Sequence, residues 1–413
     1  MAAFSSPLRP LLLFSVCLSV MAATVAASIG VNYGQIADNL PTPDRVIPLV
    51  KSLGAARVKL YDADPRVLHA FAGTGIQFTI GLPNELLPSM RDPSKAQSWV
   101  ETNVRSYVPR TNITCVTVGN EVLTSNDTVL IGSLLVAMEN VQKALVGFGL
   151  DKVVGVTTAH SLVILETSYP PSAGRVKKEL ADCVSDVLDF HERNGSPFLI
   201  NAYPFFAYKG NPKQVPLDFV LFEPNHGMVD QSTNLHYDNM LFAQIDAVYS
   251  ALAALGHKKV PVQISETGWP SKGDEDETGA TPENAKKYNG NLIKVMTQKK
   301  GTPMRPDAGL NIYVFALFNE NLKPGPTSER NYGLFRPDGS PAYSLMASGS
   351  DHSNVTTGVA SSGKSTGPYA VAPSAPHPQS TSSAYLSISS GEVGLKSQVI
   401  PFIFGIALCK IFI

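Results

Sequence analysis

The chain has 413 residues, and its 33 basic and 34 acidic side chains leave a formal charge of -1. Nothing in that balance calls for a polyanionic partner, so the sequence excludes a nucleic-acid binder. Hydrophobic residues make up 44% and charged residues 16%, against about 25% charged in an average globular domain, with 31 Pro and 32 Gly. A large buried core with many ordered turns is expected, and a chain disordered throughout is excluded.

Residues 11–27 form an apolar stretch that follows Arg9 and ends in Thr24-Val25-Ala26-Ala27. Ser15, Ser19 and Thr24 interrupt it and no basic stop follows, which is the plan of a secretory signal rather than a single-pass anchor. We therefore expect a signal peptide over 1–27 and a mature start at Ser28.

Along 28–346, short β-branched runs alternate with longer amphipathic stretches, the pattern of βα units around a parallel sheet. Eight such runs lie at 29–33, 57–61, 77–82, 113–119, 153–158, 198–203, 262–265 and 311–317. Eight is the number that closes a (β/α)8 barrel of the TIM type, which is the fold class expected here. Helices are predicted at 94–107, 129–148, 176–192, 239–255 and 282–298, where apolar positions recur every three or four residues. In the fourth of these, Leu241, Ile245, Val248, Leu252 and Leu255 share a face and Gly256 supplies the stop. No G-x-G-x-x-G follows the first run, which removes the main support for an open nucleotide-binding sheet. The stretch 203–238, rich in Pro, Phe and Asn, is too long for a plain connection and reads as an insertion walling a cleft.

Polar residues at the C-terminal ends of parallel barrel strands share one face, where barrel enzymes place their chemistry. Glu121 follows the fourth run in Val118-Gly119-Asn120-Glu121-Val122, and Glu266 follows the seventh in Ser265-Glu266-Thr267-Gly268-Trp269-Pro270. A lone strand-end glutamate is more often a cap or a salt bridge. Two of them, flanked by Asn120 and Trp269, suit glycosidic cleavage, in which one carboxylic acid protonates the leaving oxygen and the other attacks the sugar or activates water. Of the strand-end aromatics Tyr33, Tyr203, Phe205, Phe206, Tyr208, Trp269 and Phe318, about half should simply pack in the core, and Tyr33, Tyr203 and Trp269 are the ones expected to line the cleft and stack on sugar rings. The eight His residues show no H-E-x-x-H spacing and no G-x-S-x-G elbow is present, so neither a metal site nor a serine hydrolase is expected.

Cys115 and Cys183 are the cysteines of the expected mature chain, and the sequence leaves their pairing open. Sequons at Asn112, Asn126, Asn194 and Asn354 suit a secreted glycoprotein, with Pro197 weakening the third. From 347 to 390 the chain turns to Ser, Thr, Gly and Pro, a disordered stalk in composition. The small residues around Ser389, a polar spacer and the apolar run 399–413 then follow the order of a glycolipid-anchor signal, with Ser389 as the attachment site and 391–413 removed. Lys410 is the one charge inside that tail.

The region 28–346 resembles glycoside hydrolase family 17, the plant endo-β-1,3-glucanases. The likeness rests on Ile29-Gly30-Val31-Asn32-Tyr33-Gly34, Val118-Gly119-Asn120-Glu121-Val122, Asn201-Ala202-Tyr203-Pro204-Phe205-Phe206-Ala207-Tyr208, Ser265-Glu266-Thr267-Gly268-Trp269-Pro270-Ser271 and the run from Phe315 to Glu320 with Asn331-Tyr332-Gly333-Leu334-Phe335. The resemblance implies a (β/α)8 fold and a retaining mechanism with Glu121 as acid/base and Glu266 as nucleophile. It also implies a supporting acid-Lys-acid set at Glu320, Lys323 and Glu329. No cofactor is implied, since two carboxylates complete the reaction. A monomer acting on β-1,3-glucan at the cell-wall side of the plasma membrane, held in the outer leaflet by a glycolipid, is the expectation. A catalytically silent glucan-binding protein and a glucanosyltransferase are the alternatives.

Overall fold

In the computed structural model of the chain, the described residues are 29–344 apart from Lys299. The predicted signal, stalk and anchor segments, with Asn354 and Ser389, lie outside them.

Eight strands close a barrel: β1 (Ile29–Asn32), β2 (Ala55–Lys59), β3 (Gln77–Leu82), β4 (Asn112–Asn120), β5 (Gly155–Ser161), β6 (Phe198–Asn201), β7 (Val262–Thr267) and β8 (Ile312–Val314). Each pairs in parallel with its sequence neighbour, and β1 with β8 completes the ring. All eight predicted runs fall on these strands. The fifth begins two residues later than expected because Val153 and Val154 turn back on Leu150, leaving Val153 exposed. The eighth is short, although Phe315 and Leu317 N–H still donate to the carbonyls of Thr267 and Asn32 at 2.8 Å.

Proline and aspartate punctuate the helices. Pro opens α1 (Pro43–Ser52), α2 (Pro65–Ala70) and α3 (Pro93–Val100), where a missing N–H costs nothing. Asp64 and Asp92 cap α2 and α3, and Asp127 accepts from Val129 and Leu130 N–H to start α4 (Thr128–Gly147). The expected helix 94–107 is α3 continued by a wider turn over Glu101–Arg105. The expected helix 176–192 is α5 (Ala181–Asn194), displaced at its start. Val176 instead belongs to a two-residue strand, Arg175–Val176, paired with Leu165–Thr167. That hairpin covers the outer side of the helix 240–254, and Gly174 comes so near that a Cβ there would lie 2.0 Å from the Ala247 carbonyl oxygen.

The stretch 203–238 is an insertion, as expected, with structure of its own: α6 (Pro204–Gly210), α7 (Leu217–Val220) and a hairpin of Met228–Asp230 with Leu235–Tyr237. Buried Asp230 ties it down by accepting from Ser172 N–H and Oγ at 2.8 and 2.9 Å. The chain then enters α8 (Met240–Ala254), capped by Asn239, and later α9 (Pro282–Thr297), capped by Thr281. Leu241, Ile245, Val248 and Leu252 of α8 are buried as their spacing predicts, and so are Phe242, Ala247 and Ala251, because the hairpin closes the other side.

Cys115 on β4 and Cys183 on α5 are not joined by a disulfide. His160 of β5 stacks on Phe198 at 4.5 Å and His191 of α5 meets the same ring edge-on, and burial pulls both imidazoles down to about 3, so each sits neutral in the sheet–helix layer. Of the predicted sequons, Asn112 and Asn126 are exposed. Asn194 is exposed too, but its Nδ2 donates to the Phe190 carbonyl at 2.8 Å at the end of α5.

Candidate active site

The end of β4 leaves regular strand geometry, with Gly119 at φ +72° and Glu121 at φ +54°. Left-handed backbone at a non-glycine residue costs on the order of 1 kcal/mol and persists only where the surroundings fix it. Here they do. Asn120 N–H donates to Asn84 Oδ1 at 2.8 Å, Asn84 Nδ2 donates back to the Asn120 carbonyl at 3.0 Å, and Glu121 N–H continues the ladder to Ala159 at 2.8 Å. Both Asn120 and Glu121 are thereby turned over the mouth of the barrel.

Glu121 Oε1 accepts from Asn201 Nδ2 at 2.9 Å. Burial pushes its carboxyl up to about 7, the negative charge of Glu266 adds to the rise, and the Asn201 hydrogen bond opposes it. Asn201, at the end of β6, is itself oriented by Ser265 Oγ, which donates to its Oδ1 at 2.5 Å, and it approaches Asn120 Oδ1 at 3.4 Å. A chain of hydrogen bonds through three amides and the Ser265 hydroxyl thus links the ends of β3, β4, β6 and β7.

Glu266 stands in different surroundings. Its Oε1 receives the Lys59 ammonium at 3.1 Å and the Tyr61 hydroxyl at 2.7 Å, and its Oε2 receives the Tyr203 hydroxyl at 2.9 Å. Burial pushes both phenols well above their usual range, and Glu266 adds to it, so both remain donors. The Glu266 side chain is 8% exposed and meets a full cation, whereas Glu121 meets a neutral amide. The two carboxyl groups thus sit in different electrostatic surroundings.

The expected acid-Lys-acid set is present and divided between two tasks. Lys323 pairs with Glu329 at 3.3 Å and lies 4.2 Å over the Phe315 ring, which packs edge-on against Tyr61, Tyr203 and Tyr332. Glu320 instead accepts from Ile36 N–H at 2.8 Å and fixes the loop after β1, and burial raises its carboxyl, with Lys323 opposing. A Cβ on Gly34 would collide with that carboxylate, so the glycine of Asn32-Tyr33-Gly34 makes room for it.

Of the three aromatics expected in the cleft, Tyr203 is half-buried and reaches the site. Tyr33 is 2% exposed, and its ring packs against Phe318. Trp269 is fully buried, donates its indole N–H to the Gly279 carbonyl at 2.8 Å and packs among Phe205, Tyr208 and Tyr288. Neither ring offers a face for a sugar to stack on: Phe318, after β8, packs against Tyr33, and the segments after β6 and β7 close over Trp269. Partly exposed Phe206 and Tyr208 of α6 are the aromatics that remain at that wall.

Lys59, Tyr61 and Asn201 were not singled out from the sequence. The signal for the first two is an alternation: in Arg57-Val58-Lys59-Leu60-Tyr61, Val58 and Leu60 are fully buried under the helices while the other three point into the barrel. A cation and a phenol at inward positions near the C-terminal end of a barrel strand mark the site as plainly as the glutamates do.

Residues 29–347 match the family model described as glycosyl hydrolases family 17. The chain is 60% identical to glucan endo-1,3-beta-glucosidase 11 of Arabidopsis thaliana over 397 residues, 93% of each chain, and 60% identical to glucan endo-1,3-beta-glucosidase 10 of the same plant over 348 residues, 83% of this chain and 82% of that one. Among solved structures it is similar to a beta-1,3-glucanase and allergen of Cryptomeria japonica pollen, with a TM-score of 0.74, 40% identity and coverage of 77% of this chain and 98% of that one. It is also similar to a plant beta-glucan endohydrolase, with a TM-score of 0.71 and 37% identity over 76% and 99% of the two chains. A closed eight-stranded parallel barrel, two glutamates at the ends of β4 and β7, and these matches over the whole barrel agree: the chain is a glycoside hydrolase and belongs to glycosyl hydrolases family 17.

Proposed function

We propose that this protein cleaves internal β-1,3-glucosidic linkages of a β-1,3-glucan by a retaining double displacement, with Glu121 as acid/base and Glu266 as nucleophile. The observation that carries the reading is the contrast between the two carboxyl groups: Glu121, raised to about 7, is protonated in a mildly acidic medium, while Glu266 is held by a cation and two phenols. The names of the relatives at 60% identity supply the linkage.

In the first step Glu266 attacks the anomeric carbon and Glu121 protonates the departing glucosyl oxygen. Formation of the ester removes the negative charge that helps to raise Glu121, so its carboxyl becomes more acidic. That change suits its second task, in which the Glu121 carboxylate takes a proton from the incoming water. Asn120, with its backbone clamped by Asn84, is placed to donate to the 2-hydroxyl of the reacting sugar, a contact that strengthens in the transition state.

Sizing the products from a panel of β-1,3-, β-1,4- and mixed-linkage glucans tests the substrate reading. A ladder of short oligosaccharides from β-1,3-glucan is expected. Products longer than a supplied oligosaccharide would instead mark a glucanosyltransferase, and binding without any product would mark a silent glucan-binding protein.

The sequence ends support a place on the outer face of the plasma membrane, held by a glycolipid at Ser389. Phosphatidylinositol-specific phospholipase C should release the protein from intact membranes. Retention while a control anchored protein is released would point to a membrane-spanning tail, and protein already soluble before treatment would dismiss the anchor.

A further inference from the structure

The active site holds a buried charge pair whose balance changes in the course of the two-step reaction proposed above, and this inference rests on that reading. The Lys59 side chain is 1% exposed, with its ammonium 3.1 Å from Glu266 Oε1 and 4.1 Å from the centre of the Tyr61 ring. Oε1 therefore has two donors, Lys59 and Tyr61, one of them a cation. Oε2 has one, Tyr203.

We propose that Lys59 is a positioning residue for the second half of turnover: it anchors Oε1 so that Oε2 attacks, and it favours the return of Glu266 from ester to carboxylate. In the first step an electron pair on Oε2 forms the bond to the anomeric carbon, the bond from that carbon to the leaving oxygen breaks, and the Glu121 proton passes to that oxygen. Glu266 is now neutral, and the Lys59 ammonium has lost its anionic partner. In the second step a water oxygen bonds to the anomeric carbon, Glu121 takes the water proton, and the carbon–Oε2 bond breaks with its electron pair returning to Glu266. Neither step uses a Lys59 proton.

Removing one member of a buried ion pair is strongly unfavourable, because the other is left without compensation. The ammonium therefore raises the ester relative to the carboxylate on either side of it. Burial alone pulls Lys59 down, and the charge of Glu266 is the largest influence opposing that pull, with Glu121 a lesser one. With the cation gone, the ester breaks down more slowly and accumulates.

The test uses Lys59→Met in the full chain, with a dinitrophenyl β-glycoside of the β-1,3-linked disaccharide as substrate, since that leaving group needs no proton. The expected result is a burst of dinitrophenolate, a steady-state kcat and KM that fall together, and at least about ten-fold more glycosylated Glu266 peptide by mass spectrometry of the quenched reaction than in the parent. Lys59→Arg keeps the charge and should show no such accumulation. A merely structural role would lower kcat or raise KM without a burst or an adduct. If thermal melting shows that Lys59→Met does not fold, Lys59→Gln carries the same expectation.

The parent enzyme treated with a substrate fluorinated at the sugar 2-position separates the two levels of the argument. No adduct on the Glu266 peptide would overturn the double displacement and the role of Lys59 with it. An adduct in the parent, with Lys59→Met turning over without a burst or at an unaltered rate, would overturn the role of Lys59 alone.

Discussion

Replacing Glu266 with Gln is expected to lower kcat on β-1,3-glucan by at least about 10⁴-fold while leaving the fold intact, because an amide cannot form the glycosyl ester. The substitution is nearly isosteric: with the amide oxygen at the Oε1 position the Tyr61 hydroxyl can still donate to it, while the amide NH2 at the Oε2 position would donate to the Tyr203 hydroxyl oxygen. It does leave the Lys59 ammonium without a countercharge, so some stability is lost as well. Rates should be compared at a temperature where melting curves show both proteins folded. Near-parental turnover of folded Glu266→Gln would remove the nucleophile from the account.

Replacing Glu121 with Gln is expected to cost about 10²- to 10⁴-fold on the polysaccharide, whose leaving alkoxide needs a proton, and far less in the first step with a dinitrophenyl glycoside, whose leaving group does not. The two substrates therefore separate acid catalysis from general damage to the cleft. The pH profile gives a second reading of the same residue. With its carboxyl at about 7, Glu121 is protonated and competent as an acid below that value and loses competence above it, so kcat/KM of the parent should fall on the alkaline side of about 7. Glu121→Gln should lose that alkaline fall. Equal losses on both substrates, with the alkaline limb unchanged, would mean that another group supplies the proton.

The barrel was legible in the sequence because parallel strands covered by helices are written as short β-branched runs, and all eight runs lie on strands. The ends of elements were less legible. Val176 reads as the start of a helix by its apolar spacing, yet its pairing with Leu165 and the contact of Gly174 with Ala247 are tertiary facts with no local signature. The two glutamates were visible as a pair: either alone reads as a cap or a salt bridge, but two at strand ends on one face of the barrel, flanked by Asn120 and Trp269, point to chemistry.

Their partners were harder to see. Lys59 is charged yet sits at an inward strand position, and only closure of the barrel brings it from β2 across to Glu266 on β7, 207 residues away. Tyr33 and Trp269 failed as stacking surfaces because an aromatic residue at a strand end is written alike whether a neighbouring loop buries it or a sugar does. Asn201 lay within a motif read for its family resemblance, and its task of joining Glu121 to Ser265 appears only once closure of the barrel brings the ends of β4, β6 and β7 together.

The central claim is that Glu266 forms a covalent bond to the sugar, and the stereochemistry of the first product tests it most directly. Two displacements at one carbon restore the starting configuration, and a single displacement by water inverts it. Proton NMR of β-1,3-glucan oligosaccharides during the first minutes of hydrolysis, before the anomers equilibrate, should show the β anomer at the newly formed reducing end. An initial α anomer would contradict the double displacement and the assignment of Glu266 as nucleophile.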